Sequence, residues 1–360
     1  MKVVLFRAHG GPEVLEYTDF PTSEPKPGEA LIRLHAAALN RMDIMVRNGW
    51  PGLKLELPHI NGADGAGEVV ALNPPLHEGE RSGVKVSATE IRDLRLEIGD
   101  HVVINANLGC GACEFCLEGK DNLCRSWHLL GETVRGTYAE YVTLPLKQLY
   151  RLPVDFDYHQ AAAAALVYQT AWHSLVKRGH LQGDETVLIV GAGGGVNTAS
   201  VQIAKYVGAQ VIVVGSDGRK LAMAESIGAD IRIDRSKEED WSKAVFLATN
   251  KRGVDVVVDN VGATFMQSLR TLRKGGRLLT VGNSAGPKIE IDNRYMFAKH
   301  LSIIGSTMST LEDFREVMDM IVAGKLKAIL DKTYPLKDAA LAQERLWQNE
   351  NFGKITLDIL

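Results

Sequence analysis

The chain has 360 residues and a mass of 39.3 kDa, more than one hydrophobic core usually organises, which favours two domains. Hydrophobic residues make up 45% and charged residues 24%, and 41 basic against 44 acidic side chains give a net charge of −3. This composition excludes a disordered chain and a strongly basic nucleic-acid-binding surface.

The N-terminus and the apolar stretches indicate where the protein works. Arg7 and His9 interrupt the segment MKVVLFRAHGG before a signal-peptide core develops, so we expect a first strand there. The most apolar stretch, Ala161–Tyr168, is far shorter than the roughly twenty residues of a membrane helix. We therefore expect a cytoplasmic protein with neither membrane nor nucleic acid among its partners.

The N-terminal part, residues 1–156, is predicted to be a β-rich domain. Apolar runs separated by Gly and Pro predict strands at 3–6, 29–39, 65–72 and 100–106. Residues 73–97 contain Pro74 and Pro75, alternating charges and no clear period, so we expect a long surface loop.

All four cysteines lie between residues 110 and 124. The spacing Cys110-x2-Cys113-x2-Cys116-x7-Cys124 places four thiols close together among glycines that let the backbone curl. Zinc prefers such a tetrahedral thiolate set, and four protein ligands leave no position for a substrate. We expect one structural zinc per chain, in a lobe near 107–126; two disulfides or an iron–sulfur cluster are the alternatives.

Residues 157–299 are predicted to form a doubly wound parallel sheet, because apolar strands alternate there with amphipathic helices. The strands are expected at 186–193, 211–215, 254–262 and 277–283, and helices at 196–207, 218–227 and 264–273. After Ile304 we expect a helix at 311–323, an apolar segment at 326–330, a helix near 337–348 and a closing strand. This tail, residues 300–360, is predicted to return to the first domain.

A glycine-rich turn links the first strand of this sheet to its helix. In that setting a dinucleotide pyrophosphate meets free N–H groups and the positive end of a helix; a plain tight turn is the alternative. The residues expected to line it are Gly193, Gly194, Gly195 and Val196. Asn197 stands where a third glycine is usual, so helix–strand packing must accommodate its side chain.

The tip of the second strand bears on cofactor choice. The acid that holds the ribose of NAD normally lies about twenty residues beyond the turn, where this chain has Gly215 and Ser216 with Arg219 and Lys220 close behind. Space and positive charge favour the 2′-phosphate of NADP(H). Asp217 keeps NAD(H) open, since a small register error would make it the ribose acid.

These motifs together resemble the medium-chain dehydrogenase/reductase superfamily, specifically its zinc-type alcohol dehydrogenase and quinone oxidoreductase group. The resemblance covers essentially the whole chain, and its phrases include GADGAGEVV, GCGACEFCLEGKDNLC, GTYAEYV and FGKITL. It implies a GroES-like catalytic domain and a Rossmann domain, with NAD(P)(H) bound between them.

Three positions depart from the pattern of the zinc-dependent members. Asn40, Ala63 and Leu166 stand where the resemblance places ligands of a catalytic zinc, leaving Asp64 alone as a donor. We therefore expect no catalytic metal. Met42 also replaces the hydroxyl that begins the proton relay of alcohol dehydrogenases.

The residues that remain predict the following chemistry. Asn40 is expected to donate a hydrogen bond to a developing enolate oxygen. Asp64 acts either as a buried general acid or as a structural carboxylate, and Thr170 either orients the nicotinamide or a hydroxyl or is an ordinary helix residue.

The resemblance and the strand ends also supply the cofactor residues. Arg41 either contacts the pyrophosphate or forms a surface ion pair, and Lys354 is either a cofactor-side residue or a solvated strand end. Strand ends of an α/β sheet hold ligands, which assigns four further residues to the cofactor edge: Asn260, Val261, Val281 and Gly282.

The leading hypothesis is an NADP(H)-dependent reductase of activated C=C bonds or quinones that uses no catalytic zinc. The alternatives are an alcohol or aldehyde oxidoreductase, working without zinc or recruiting a metal through Asp64 and His59, and a non-catalytic NADP(H)-binding redox sensor. The partner is expected to be a small-molecule substrate. The apolar segment 301–307 resembles the strand by which family members pair subunits, which predicts a homodimer or homotetramer.

Overall fold

A computed structural model describes residues 1–73, 96–238, 240–284, 286 and 288–359. The loop predicted at 73–97 lies outside these residues except at its two ends.

The strands were numbered in chain order. They are β1 (Lys2–Phe6), β2 (Glu16–Asp19), β3 (Glu29–Ala38), β4 (His59–Ile60), β5 (Asp64–Asn73), β6 (His101–Ile104), β7 (Asn107–Leu108), β8 (His128–Leu129), β9 (Tyr141–Pro145), β10 (Leu149–Arg151), β11 (Thr186–Val190), β12 (Gln210–Gly215), β13 (Ile231–Asp234), β14 (Val254–Asp259), β15 (Leu272–Thr280), β16 (Ser302–Gly305), β17 (Leu330–Pro335) and β18 (Lys354–Asp358).

The helices connect or flank these strands. The α-helices span Arg41–Asn48, Glu114–Leu117, Tyr158–Trp172, Gly195–Val207, Gly218–Ser226, Trp241–Ala248, Phe265–Thr271, Asn293–Lys299, Leu311–Val322 and Ala339–Trp347. A π-helical segment, His173–Arg178, follows the third of them. Among the described helices, none combines the length and the apolar character needed to cross a bilayer.

The chain forms two compact units, Met1–Leu166 with Ser309–Leu360, and Val167–Met308. Ser309–Leu360 therefore belong to the same compact unit as Met1–Leu166. The boundaries differ from the predicted 156/157 and 299/300. The first now falls inside the helix Tyr158–Trp172, because this helix continues unbroken past the change in sequence texture at which the prediction divided the chain.

The N-terminal unit is built mainly on antiparallel strands, and β17 and β18 form a parallel pair in its largest sheet. Its largest sheet has the order β10-β6-β5-β3-β18-β17, and β9 pairs with the first half of β3 on the side where β18 pairs with its end. Alternate residues of β3 are buried, as the pattern of EALIRLHAAA requires of a strand with one covered face. This arrangement places Asp64, at the start of β5, and Lys354, at the start of β18, on the two strands that flank the end of β3.

The second unit is a six-stranded parallel sheet with the order β13-β12-β11-β14-β15-β16. Strands β11 and β14 are buried along their full length. Their runs of Val, Leu and Ile form such strands because helices cover both faces of a parallel sheet. The predicted Rossmann architecture is confirmed.

Several elements differ from the sequence prediction. The apolar segment 326–330 precedes a strand and does not form one, since β17 begins at Leu330. Strand β13 and the helices Arg41–Asn48, Trp241–Ala248 and Asn293–Lys299 were not predicted. Each of these is short, and its periodicity extends over too few residues to be distinguished from a loop.

Candidate active site and metal centre

A buried cluster of hydrogen-bonded side chains lies where β5 and β18 flank β3. The ammonium of Lys354 donates to Asp64 Oδ2 at 2.8 Å, to Asn40 Oδ1 at 2.7 Å and to the carbonyl of Leu39 at 2.6 Å. Asn40 Nδ2 donates to the same Asp64 oxygen at 2.9 Å. Lys354 is 4% exposed and Asp64 is 0% exposed, so the charge pair is shielded from solvent.

Leu166 completes the hydrogen bonds of Asp64. Its backbone N–H donates to Asp64 Oδ1 at 2.9 Å, so both carboxylate oxygens have donors. Asp64 is thus held by a backbone N–H, an amide and a lysine. The interpretation of Lys354 as a solvated strand end is wrong, because β18 lies inside the sheet and its first residue points into the cluster.

Asn40 is placed by the helix that follows it. It precedes Arg41–Asn48 in extended conformation, and its backbone N–H donates to Asp43 Oδ2 at 2.8 Å, an N-terminal capping arrangement. Tyr138 also donates to that oxygen at 2.8 Å, whereas Asp43 Oδ1 has no hydrogen-bond partner among the described residues. Burial raises the pKa of Asp43 to about 6, and it raises the pKa of Tyr138 well above its usual value.

The donor set around Asp64 does not suit a catalytic zinc. Zinc binds thiolate, imidazole and carboxylate donors, and the positions where the resemblance places its ligands hold an amide, a methyl group and an isobutyl group, at Asn40, Ala63 and Leu166. Asp64 already accepts three hydrogen bonds. His59 and Asp64 belong to no group of three or more potential metal ligands among the described residues, and His59 Nε2 lies 3.2 Å from the carbonyl of Gly131.

The four cysteines converge as their spacing predicts. Their sulfur atoms all lie within 4.8 Å of one another, and within the described ranges they are the one group of three or more His, Cys, Asp or Glu placed to hold an ion. Cys113 Sγ and Cys124 Sγ are 3.8 Å apart, too far for a disulfide. A zinc tetrahedron with Zn–S bonds of about 2.3 Å has an edge of about 3.8 Å, so the cluster fits a structural zinc.

Backbone N–H groups point at these sulfurs. The N–H of Cys110 donates to Cys124 Sγ at 3.2 Å, and the N–H groups of Cys116 and Arg125 lower the pKa of Cys113 to about 6. Such donors stabilise the thiolate, the form that binds a metal. Burial raises the pKa of Cys116 to about 12, an effect that a cation at the centre of the cluster opposes.

The cysteine lobe is tied to the tail of the same unit. Asp121 Oδ1 accepts from the backbone N–H of Leu311 at 2.9 Å, and Asp121 Oδ2 accepts from Asn107 Nδ2 at 2.6 Å. Asn107 also donates to the carbonyl of Ser309 at 3.3 Å. The lobe thereby fixes the residues that begin the second segment of this unit.

The glycine turn of the second unit has the geometry of a phosphate cradle. Gly191 has φ +103°, and a Cβ there would lie 2.7 Å from Asn197 Nδ2. Gly194 is the N-cap of the helix Gly195–Val207, and a Cβ on it would meet nothing within 4 Å. The exposed helix start and open backbone fit a dinucleotide pyrophosphate, and the predicted residues Gly193, Gly194, Gly195 and Val196 form this part of the turn.

Asn197 and Asn260 tie neighbouring strand ends together. Asn197 Nδ2 donates to the carbonyls of Val190 and Gly191, at 3.0 and 2.8 Å. Asn260 Oδ1 accepts from the N–H of Val281 at 2.8 Å. Because parallel strands end at one edge of a sheet, the predicted cofactor residues that follow β14 and β15 share that edge, namely Asn260, Val261, Val281 and Gly282.

Asp217 has a structural task at the tip of β12. Its Oδ1 accepts from the backbone N–H groups of Arg219 and Lys220, at 2.8 and 3.2 Å, and so caps the helix Gly218–Ser226. Gly215 ends the strand, where a Cβ would approach Ala192 Cβ to 3.0 Å. Ser216 and Arg219 are exposed beside this cap.

Two predicted residues remain, Arg41 and Thr170. Arg41 donates to Asn349 Oδ1 and, at 3.4 Å, to the carbonyl of Leu346, so the expected surface ion pair is not found among the described residues. Thr170 is 5% exposed within the helix Tyr158–Trp172 of the second unit.

The cluster of Lys354, Asp64 and Asn40 was missed at the sequence level. Lys354 and Asp64 are separated by 290 positions, and only a prediction of strand order would have paired them. Asp259, which accepts from the N–H groups of Val261 and Gly262 and from the Ser268 hydroxyl, was also missed. The signal that could have identified Asp259 is its position as an acidic residue at the end of the buried strand β14.

One unit of this chain has a mainly antiparallel sheet and a four-cysteine lobe, and the other has a parallel sheet with a glycine turn. This combination defines a nucleotide-dependent oxidoreductase. The family model "Alcohol dehydrogenase GroES-like domain" matches residues 26–154, and "Zinc-binding dehydrogenase" matches residues 195–323. The chain is 30% identical to the NAD-dependent alcohol dehydrogenase of Sulfolobus acidocaldarius, over 100% of both chains. It is 28% identical to the quinone oxidoreductase of Homo sapiens, over 96% of this chain and 94% of that one.

Among solved structures, one described as an NAD-dependent alcohol dehydrogenase superposes with a TM-score of 0.92 at 39% identity, covering 100% of each chain. The chain therefore belongs to the zinc-type medium-chain dehydrogenase/reductase superfamily, and it is an oxidoreductase of the NAD(P)-binding kind.

Proposed function

We propose that this enzyme is an NADP(H)-dependent reductase of small molecules with an activated C=C bond or a quinone ring, and that it works without a catalytic zinc. The observation that carries the proposal is the cluster of Lys354, Asp64 and Asn40. An ammonium and an amide occupy the carboxylate that a metal would need, so no Lewis acid polarises the substrate at these residues.

The chemistry that remains favours substrates that are electrophilic by conjugation. Bound nicotinamide supplies hydride to the β-carbon of an enone or to a quinone, and negative charge then develops on the substrate oxygen. A preorganised N–H donor stabilises such charge. Asn40 is the candidate donor, and Thr170 is proposed to orient the nicotinamide or a hydroxyl.

The cofactor residues follow from the second unit. The glycine turn and the strand-end residues are proposed to hold the dinucleotide, with Gly215, Ser216, Arg219 and Lys220 receiving the 2′-phosphate. The capping task of Asp217 supports NADP(H), because its Oδ1 is already engaged by two backbone N–H groups. Arg41 and Lys354 are weaker candidates for cofactor contact, since both donate to acceptors of their own unit.

An alcohol or aldehyde oxidoreductase is the second candidate, and the relatives named alcohol dehydrogenase favour it. Metal analysis and a substrate panel separate the two. The reductase predicts one zinc per chain and NADPH oxidation by quinones or enones. Two zincs per chain with oxidation of simple alkanols would refute it. NADPH binding without turnover of any compound would favour the redox sensor.

We also propose a homodimer or homotetramer formed through β16. This strand is at the edge of its sheet and pairs within the described chain only with β15. An edge strand with unpaired backbone groups is a template for pairing with a second copy. Light scattering that shows only monomer at working concentration would refute this proposal.

A further inference from the structure

We propose that Lys354 and Asp64 are positioning residues that lock the side-chain amide of Asn40 in one orientation, with an N–H available to a substrate oxygen. The identity of that oxygen, a developing enolate or quinol oxygen, rests on the proposed function. The locking itself rests only on contacts within the N-terminal unit.

The three side chains form a closed triangle of hydrogen bonds. Lys354 Nζ is 2.7 Å from Asn40 Oδ1 and 2.8 Å from Asp64 Oδ2, and Asn40 Nδ2 is 2.9 Å from that same carboxylate oxygen. An ammonium can only donate, and an ionised carboxylate can only accept. The ammonium therefore requires the amide oxygen Oδ1 at one end, and the carboxylate requires an N–H of Nδ2 at the other end.

The opposite orientation of Asn40 is strongly disfavoured. Exchanging Oδ1 and Nδ2 would place an NH2 group against the ammonium and an oxygen against the carboxylate, replacing two charge-assisted hydrogen bonds with two repulsive contacts. Such bonds are roughly twice as strong as neutral ones, and burial removes the solvent that would screen the repulsion. The orientation of the amide is therefore determined by its two charged neighbours.

Lys354 is not placed to transfer a proton to the substrate itself. Its three N–H groups meet three acceptors, the carbonyl of Leu39, Asn40 Oδ1 and Asp64 Oδ2. The residue is also 4% exposed. Its effect on the reaction must pass through Asn40.

The amide retains one hydrogen for a ligand. Nδ2 carries two hydrogens, and Asp64 is its one acceptor within the described part of the chain. Asn40 is 8% exposed, whereas Asp64 is fully buried, so Asn40 is the member of the triangle that a ligand can contact. A donor held in advance loses no free energy to reorientation as charge develops.

The test replaces both charged residues by amides. Lys354→Gln with Asp64→Asn removes both charges together, so it leaves neither partner as an unpaired buried charge, and both new amides can hydrogen-bond, with two N–H donors at position 354 in place of three. Amides pair with Asn40 in either orientation, so the lock is lost while packing is retained. We expect kcat for an enone and for a quinone to fall roughly tenfold or more, with the Kd for NADPH unchanged. Lys332→Gln, an exposed lysine on β17, is the control and is expected to leave kcat unchanged.

A third substitution tests whether the effect passes through Asn40. We expect Asn40→Ala alone to lower kcat about 100-fold, the loss typical of one oxyanion donor. Adding it to the double variant should lower kcat no further than Asn40→Ala does alone, because residues acting as one unit are not additive. Three results would each overturn the proposal. The first is a loss of kcat in the triple variant that equals the product of the losses in the double variant and in Asn40→Ala. The others are a kcat within twofold of wild type in the double variant, and a raised Kd for NADPH with unchanged kcat.

Neutron diffraction supplies a readout that needs no turnover. X-ray data do not distinguish the oxygen and nitrogen of an amide, whereas deuterons on Nδ2 are visible to neutrons. We expect one Asn40 orientation in the wild type and a mixture in the double variant; a mixture in the wild type would overturn the locking. If the wild type turns over no enone or quinone, the proposed function fails, and this measurement alone decides the positioning role.

Discussion

The buried carboxyl of Asp43 offers a direct test of the site's electrostatics. We expect the wild type to lose stability as pH rises and this buried carboxyl ionises, and we expect Asp43→Asn to remove that loss. The amide oxygen of asparagine can accept from the Asn40 N–H and the Tyr138 hydroxyl as Asp43 Oδ2 does. Its NH2 group would take the place of Oδ1, which has no hydrogen-bond partner in the described structure. The variant is therefore close in shape and differs in charge.

The magnitude follows from the shift of the pKa. Burial raises the pKa of Asp43 from 3.8 to about 6, so the folded protein holds this proton more tightly than the unfolded chain does. Its contribution to stability is present below pH 3.8 and is lost as pH rises through about 6. The full shift corresponds to about 3 kcal/mol, of which about 2 kcal/mol lies between about pH 4.5 and 7.

The measurement is the free energy of unfolding by urea, for wild type and Asp43→Asn, at several pH values across this window. The wild-type curve also contains His59, whose lowered pKa acts in the opposite direction, so the difference between the two proteins is the informative quantity. We expect the stability of the variant relative to wild type to increase by about 2 kcal/mol from about pH 4.5 to 7. A difference that is constant with pH would show that Asp43 titrates as an ordinary carboxyl.

Three further predictions concern the other groups. Cys113→Ser should lower the zinc content, measured by elemental analysis, from one per chain towards zero and lower the Tm, because metal binding at such sites is worth roughly 10–16 kcal/mol; unchanged zinc content would contradict the four-cysteine site. Arg219→Gln with Lys220→Gln should lower kcat/KM for NADPH at least tenfold, at roughly 1.5–3 kcal/mol per charged hydrogen bond, and should change kcat/KM for NADH little. The control Lys243→Gln should leave both values unchanged. Equal losses with both cofactors would refute the phosphate role. Asp121→Ala should cost about 1–3 kcal/mol in urea unfolding, because it leaves the N–H of Leu311 without its acceptor; a loss below about 0.5 kcal/mol, the range of ordinary surface substitutions, would contradict this.

Local patterns predicted much of the fold and one complete site. The cysteine spacing predicted a cluster that the structure brings together, because ligands within fifteen residues need only a turn to converge. Runs of buried β-branched residues alternating with amphipathic helices predicted the parallel sheet. The short elements, such as β13, were missed because three or four residues carry no measurable period.

The roles of single polar residues were harder to predict than the elements that carry them. Asp217 could be interpreted as a ribose ligand or as a helix cap, and the cap became evident only when its oxygen was seen beside two backbone N–H groups. His59 could be interpreted as a metal ligand until its burial against Gly131 was known.

The sequence by itself determined the two-part architecture, the four-cysteine cluster and the glycine turn, because each depends on residue types close together in the chain. Only the tertiary structure decided which groups surround Asn40 and Asp64. Strand β3 pairs with β5 on one side and β18 on the other, and this topology places Lys354 against Asp64. A buried charge requires a partner, but nothing in a linear sequence states which of 41 basic residues provides it.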